Sequence, residues 1–247
     1  MRVLIQSLGS AGDVHPFIAI GQALRDRGHD VVLLSNGLFA DAVEAAGLSF
    51  VETGTAEEFQ ATAAKPELWH PTKGLDLVLD EGVFPSLEPT IDLLRQHLTD
   101  DTILVGSTLG FAARLVSELE DRPLATVHLA PTAFRTAHRM PVLPGMPAGP
   151  SSPRWLKRLS WWLIRKITDG KIAPRLNSTR RRLGLPPVSD VFFDWLHSPQ
   201  RVLATWPEWF APRPAGLAPA GPTRRLLPPR PRWSCRRARR PPRLADR

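Results

Sequence analysis

Apolar positions in the first fifty residues follow two periods in turn. Arg2 to Leu8 is a largely apolar run of the kind a parallel strand has when both of its faces are buried. Phe17, Ile20 and Leu24 then fall at i, i+3 and i+7, with Arg25, Asp26 and Arg27 on the wet side, so the spacing predicts a helix that Gly28 ends. His29 leads into a strand over Val31–Leu34. Asn36 and Gly37 open a second helix running to about Ala46 and stopped at Gly47, and a third strand follows at Leu48–Glu52. Strand, helix, strand, helix, strand at this spacing is the βαβαβ unit of a parallel sheet. The expected class is therefore α/β, a Rossmann-like parallel sheet with helices on both faces.

The pattern weakens from Thr55 to Gly82, where Glu57, Glu58, Trp69, His70, Pro71 and Lys73 read as a long loop with short helical turns; loops of that length inside a domain are usually functional or disordered. Regular periods return with a helix over Pro85–Leu98, a strand at Thr102–Val105, a helix over Leu109–Leu119 and a strand at Leu124–Leu129. Pro141 to Pro153 holds five prolines and two glycines and reads as an extended loop. Residues 154–182 read as a helix with ten Lys and Arg and one acid, Asp169, around Trp155, Leu159, Trp161, Trp162, Ile164 and Ile167. Such a helix packs its tryptophans on its own domain and leaves its charges in water, or it lies on a membrane surface; the first reading is the simpler. A last strand is expected at Arg201–Thr205, followed by WPEWFAP at 206–212.

Charge changes the picture at one end only. The net +8 arises in residues 211–247, which hold 11 arginines, no lysine and a single acid, Asp246, whereas residues 1–210 hold 21 basic against 23 acidic residues. The same tail has nine prolines and no helix or strand period, so it cannot bury enough apolar surface to offset its ordering entropy, and disorder is expected. The domain boundary is accordingly placed at 210, with 1–210 as one folded domain. The abrupt shift to Arg, Pro, Ala and Gly is what a G+C-rich gene gives when read out of frame, so the tail is read as frameshifted or otherwise aberrant. Specific nucleic-acid recognition is not expected, because no binding module accompanies the arginines. Cys235, the single cysteine, lies in this tail, which excludes a disulfide framework and a cysteine metal site. No apolar run spans a bilayer, and no signal peptide is evident at the start, so the expected location is cytoplasmic, with peripheral membrane contact as the alternative.

The candidate chemistry sits on the first loop. In a doubly wound sheet, ligands bind in the crevice outside the carboxyl ends of the strands, and Asp13 stands where the first loop enters the first helix. The loop glycines, Gly9 and Gly12, lack the G-x-G-x-x-G spacing, and a carboxylate occupies the place a phosphate would take, so a nucleotide is not expected in this half of the molecule. On residue type alone Asp13 is either the helix N-cap or a proton acceptor, and the two roles are compatible.

GSAGDVHPFIAIGQALRDRGHDVVLLSN at 9–36 closely resembles the N-terminal signature of the GT-B glycosyltransferases that include sterol glucosyltransferases, antibiotic glycosyltransferases and rhamnosyltransferases. GLSFVETGTAEEFQ at 47–60, PELWHPTKG at 66–74 and PEWFAP at 207–212 look most like the bacterial rhamnosyltransferase-like members. The resemblance covers about residues 1–212 and stops where the composition changes. It implies the N-terminal half of a GT-B fold, which binds the acceptor, while a second Rossmann-like domain binds the nucleotide sugar. It further implies an inverting transfer of a hexose to a hydroxyl of a lipid, sterol or other hydrophobic acceptor, with no metal or other cofactor. Asp13 matches the position of the general base, with His15 as the alternative; Gly12, Trp69, His70, Ser107, Thr132 and Phe134 are the expected acceptor contacts. Some relatives carry an acid after the fourth strand, where this chain has Gly106, Ser107 and Thr108. The donor domain's diphosphate loop is absent from the sequence, so the chain is expected to be inactive alone. The alternatives are a non-catalytic acceptor-binding module and a peripheral membrane or anion-binding protein.

Overall fold

A computed structural model describes residues 1–71, 73–135, 140, 146, 148–207 and 209–211. Six strands, β1 (Arg2–Gln6), β2 (Asp30–Ser35), β3 (Ser49–Glu52), β4 (Ile103–Gly106), β5 (Leu124–His128) and β6 (Arg201–Ala204), form one sheet in the order β3-β2-β1-β4-β5-β6. Every pairing is parallel, so this is the doubly wound 3-2-1-4-5-6 arrangement, whose order reverses between β1 and β4.

Alternation along the central strands fills two cores. Leu4, Val32, Leu34 and Leu104 point to one face, under α5 (Phe84–Gln96), α6 (Phe111–Leu119) and the far half of α7 (Arg154–Arg182). Val3, Ile5, Val31, Leu33 and Val105 point to the other, under α1 (Ala11–Arg25) and α2 (Ala40–Ala45). The apolar runs of the sequence are thus strands buried on both faces. On α1 the fully buried stripe is Val14, Phe17, Ile18 and Gly21, with Ile20 and Leu24 only partly buried beside it. Gly21 eases the approach of the helix to the sheet: a Cβ would meet Leu48 Cδ1 at 2.6 Å, so a side chain at 21 would require Leu48 to shift.

The stretch expected as a long loop with short helical turns, 55–82, is mostly helical. Thr55 opens α3 (Ala56–Ala63) with a capping box, in which Thr55 Oγ1 accepts from Glu58 N at 3.1 Å and Glu58 Oε2 accepts from Thr55 N at 2.9 Å. A 3-10 turn at Pro66–Trp69, α4 (Gly74–Leu77) and a wide helical turn at Val78–Val83 then run on into α5. The expected extended loop at 141–153 lies partly outside the described residues; its described part, 146 and 148–153, holds no helix or strand, and the expected disordered tail at 211–247 lies outside them beyond Ala211.

Candidate functional site

The site forms at the point where strand order reverses. Loops leaving β1 and β4 run side by side there, tied by the Ser107 N–H, which donates to Gln6 O at 3.0 Å. With the loop after β5 and the segment from Leu68 to Val78, they enclose a cleft of about 570 Å³, within the size of a small-molecule site.

Asp13 stands on the cleft wall, one turn into α1. The helix N-cap is Ser10, not Asp13: the aspartate is the third helical residue and reaches back to the cap. Its Oδ2 accepts from Ser10 N at 2.8 Å and from Ser10 Oγ at 3.0 Å, while Ser7 Oγ donates to the Asp13 carbonyl at 3.0 Å. Oδ1 receives no hydrogen bond among the described residues. A serine cap whose fourth residue is an acid is the sequence signature of a capping box. Gly9 makes room for the carboxylate: its φ is +134°, and a Cβ would lie 2.7 Å from Asp13 Cγ. The glycine that lacked phosphate-loop spacing therefore serves the acid.

Of the other residues expected at the site, Trp69, His70, Ser107 and Thr132 line the same cleft. Trp69 is 80% exposed, at the end of the 3-10 turn, and presents a broad apolar surface to solvent. Ser107 is buried, and its hydroxyl has no hydrogen-bond partner among the described residues. Three expected residues do not line the cleft. His15 is exposed and meets Phe39 edge-on at 6.0 Å; two residues on, it lies on nearly the opposite side of the helix from Asp13. Gly12 is exposed on the outer side of the first turn, where a Cβ would meet only Ser10 Oγ at 3.6 Å. Phe134 is drawn inward to pack against His128 at 5.1 Å, His197 at 5.0 Å and Trp206 at 5.6 Å.

The cleft wall also holds residues that local sequence did not single out. Leu8, Leu68, Leu75, Val78, Leu129 and Phe192 give it a mainly apolar lining. Phe192 comes from a wide helical turn at Val191–Trp195 with no regular period in the sequence, so only its three-dimensional packing identifies it. Beneath the cleft, Thr108 Oγ1 lies 3.1 Å from His128 Nδ1. His128 is fully buried and its Nε2 has no partner among the described residues; burial first and the neighbouring His197 second push its imidazole down to about 3, so the ring is neutral at ordinary pH. His197 is likewise lowered, chiefly by burial, against the raising effect of its bond to Ala133 O at 3.2 Å.

Comparison with known proteins bears on this geometry. Residues 3–138 match the family model described as the glycosyltransferase family 28 N-terminal domain. An uncharacterized glycosyltransferase of Mycobacterium tuberculosis is 30% identical over 201 residues, covering 76% of this chain and 45% of the relative. The O-mycaminosyltylonolide 6-deoxyallosyltransferase of Streptomyces fradiae is 28% identical over 206 residues, covering 76% and 44%. The chain thus spans less than half the length of these curated relatives. Among solved structures, the kitacinnamycin glycotransferase superposes with a TM-score of 0.54 at 19% identity, over 84% of this chain and 46% of that one. Glycosyltransferase VinC, solved with dTDP, gives 0.52 at 16% identity over 85% and 50%. At such identities the two structures establish the fold.

Proposed function

Since the chain belongs to glycosyltransferase family 28 through its N-terminal domain, we propose that its cleft is the acceptor site of an inverting glycosyl transfer and that Asp13 is the general base. The observation that carries this reading is the unequal treatment of the two carboxylate oxygens. Ser10 fixes Oδ2 with two hydrogen bonds, and Oδ1 keeps its lone pairs for a proton on the wall of an apolar cleft. In the transfer, Oδ1 takes the proton of an acceptor hydroxyl as that oxygen bonds to the anomeric carbon. The bond from that carbon to the nucleoside diphosphate breaks, the electron pair leaves with the diphosphate, and the configuration inverts. Ser107, buried and without a hydrogen-bond partner among the described residues, lines the same cleft as Asp13 and offers the acceptor hydroxyl a hydrogen bond. It cannot supply the second negative charge that an acid after the fourth strand gives some relatives.

The leucine, valine and tryptophan lining favours a hydrophobic, hydroxyl-bearing acceptor. The Streptomyces relative, whose name gives a tylonolide as its acceptor, is consistent with that class. The resemblance assigns the nucleotide sugar to a second domain, in the part of the relatives that this chain does not span. By itself the chain then holds acceptor without transferring sugar, because positioning the donor supplies much of the rate.

The test pairs the chain with the donor-binding domain of a relative and follows sugar transfer. Asp13→Asn keeps the shape and lowers kcat by about 10²–10⁴-fold, with acceptor affinity little changed. Near-normal turnover by that variant would refute the assignment of the base. Tight, saturable binding of a nucleotide sugar by the chain alone, measured by calorimetry, would refute the division of labour.

A further inference from the structure

The two halves of α7 use their charges differently. In the far half, Lys171 pairs with Asp76 at 2.6 Å, Arg175 with Asp80 and Arg182 with Glu88, so that the basic positions climb in step with the acids of α4, the wide turn and α5. Arg180 is buried against Glu118 at 2.7 Å. These cations are committed within the domain, and Ile172 and Leu176 beneath them are fully buried.

In the near half the inner face packs normally, with Trp161 buried 5.3 Å from the Phe193 ring, Lys157 buried and donating to Pro150 O at 2.6 Å, and Arg165 facing Asp190 at 3.5 Å and Asp169 at 3.8 Å. On the outer face Trp155, Leu159 and Trp162, spaced i, i+4 and i+7, are 65%, 44% and 52% exposed. Arg158 is exposed between them, and Lys166 sits one turn on with its Nζ 5.9 Å from the Trp162 ring centre. Single exposed apolar residues are ordinary, but three of this size on one helical stripe form a patch. The charges exposed on this outer stripe, Arg158 and Lys166, are both cationic. No helix among the described residues is long and apolar enough to cross a membrane, and this stripe has the composition of a helix that lies along one.

We propose that the near half of α7 is a docking surface for an anionic lipid bilayer. Trp155, Leu159 and Trp162 enter the headgroup boundary, and Arg158 and Lys166 meet lipid phosphates. Charge decides for a bilayer: Arg158 and Lys166 stand exposed among the tryptophans, and a partner for this stripe must be both anionic and apolar. The inner side of the same segment continues into the cleft wall, since Trp161 packs on Phe193 and Phe193 on Phe192, which lines the cleft. A membrane-borne hydrophobic acceptor would then arrive next to its site, a corollary that rests on the acceptor reading, whereas the docking itself does not.

Co-sedimentation of the full chain with equimolar phosphatidylcholine–phosphatidylglycerol vesicles tests the surface. The Trp155→Ala/Trp162→Ala double variant should lose about tenfold or more in partition coefficient, with an unchanged melting temperature because both side chains are exposed. Arg158→Gln/Lys166→Gln should lose binding at low salt and match the parent at high salt. Trp209→Ala, which removes a tryptophan exposed outside this face, should bind as the parent does. A parent chain that binds no vesicle would overturn the proposal and point to a protein partner. Parent-like binding by the tryptophan double variant would overturn it too, and would assign vesicle binding to the arginine-rich residues 212–247.

Discussion

Two donors from one residue hold one oxygen of Asp13, so the position of the carboxylate is fixed by the first turn of α1 and by the absence of a side chain at Gly9. Gly9→Ala would place a Cβ against Asp13 in a backbone conformation that L-residues rarely adopt. The variant is expected to lose about 1–3 kcal/mol of stability, and to lose transfer activity well beyond what that destabilisation explains. Urea denaturation and kcat measured on one preparation separate the two effects, and full activity would mean that the carboxylate needs no such clearance. Asp13 was legible in the sequence as either the helix N-cap or a base; the structure gives the cap to Ser10 and makes Asp13 its partner, with one oxygen free of hydrogen bonds among the described residues. His128 was not legible at all, because the rings that bury it come from residues 134 and 197. Its neutral form is held in the fold down to about pH 3, while the unfolded chain takes up a proton near the ordinary value of 6.5. The stabilising contribution is therefore complete above pH 6.5 and is lost as the pH falls toward 3. The urea midpoint should drop between about pH 7 and about pH 4, and His128→Phe should flatten that drop; an unaltered slope would place the titrating group elsewhere.

Among the elements, α7 depends most on distant partners. Glu118 on α6 collects Arg180 at 2.7 Å, Arg114 at 3.0 Å and the Trp195 indole N–H at 2.7 Å, while both guanidiniums lie over the Trp195 ring at 5.4 and 5.6 Å. Glu118→Gln leaves two arginines facing each other with one counter-charge removed, and is expected to cost about 3–5 kcal/mol. Arg180→Met, which removes a buried charge and keeps the bulk, should cost less, and the reverse order in chemical denaturation would show that packing and not charge fixes the helix. The six strands and the long helices were legible because their apolar periods are local. Thr55 and Glu58 also spelled out a capping box, but α3 buries no residue and so carries no apolar stripe to mark it. The Val78–Val83 and Val191–Trp195 segments wind in wide turns whose period matches neither helix nor strand, and Phe192 of the cleft wall lies in one of them.

At the scale of the whole molecule, charge is unevenly distributed along the chain. Residues 1–210 carry slightly more acid than base, whereas 211–247 hold 11 arginines and one acid. The sheet ends with β6, and the last sheet-edge bonds described are those of Thr205, whose N–H and Oγ1 donate to His128 O at 3.1 and 3.2 Å. A chain ending at Phe210 therefore keeps every strand pairing and both sheet cores, and its melting temperature should match that of the full chain. Its electrostatics should not match: the arginines give the full chain a long-range attraction to any polyanion, and that attraction is screened within about 10 Å at 0.1 M salt. Heparin retention separates the two contributions to surface binding. The shortened chain should elute at much lower salt than the full chain, yet keep the part of its vesicle binding that resists salt, because the tryptophans of α7 remain. Loss of both together would place the apolar contact in the arginine-rich segment, and a lowered melting temperature would move the domain boundary beyond residue 210.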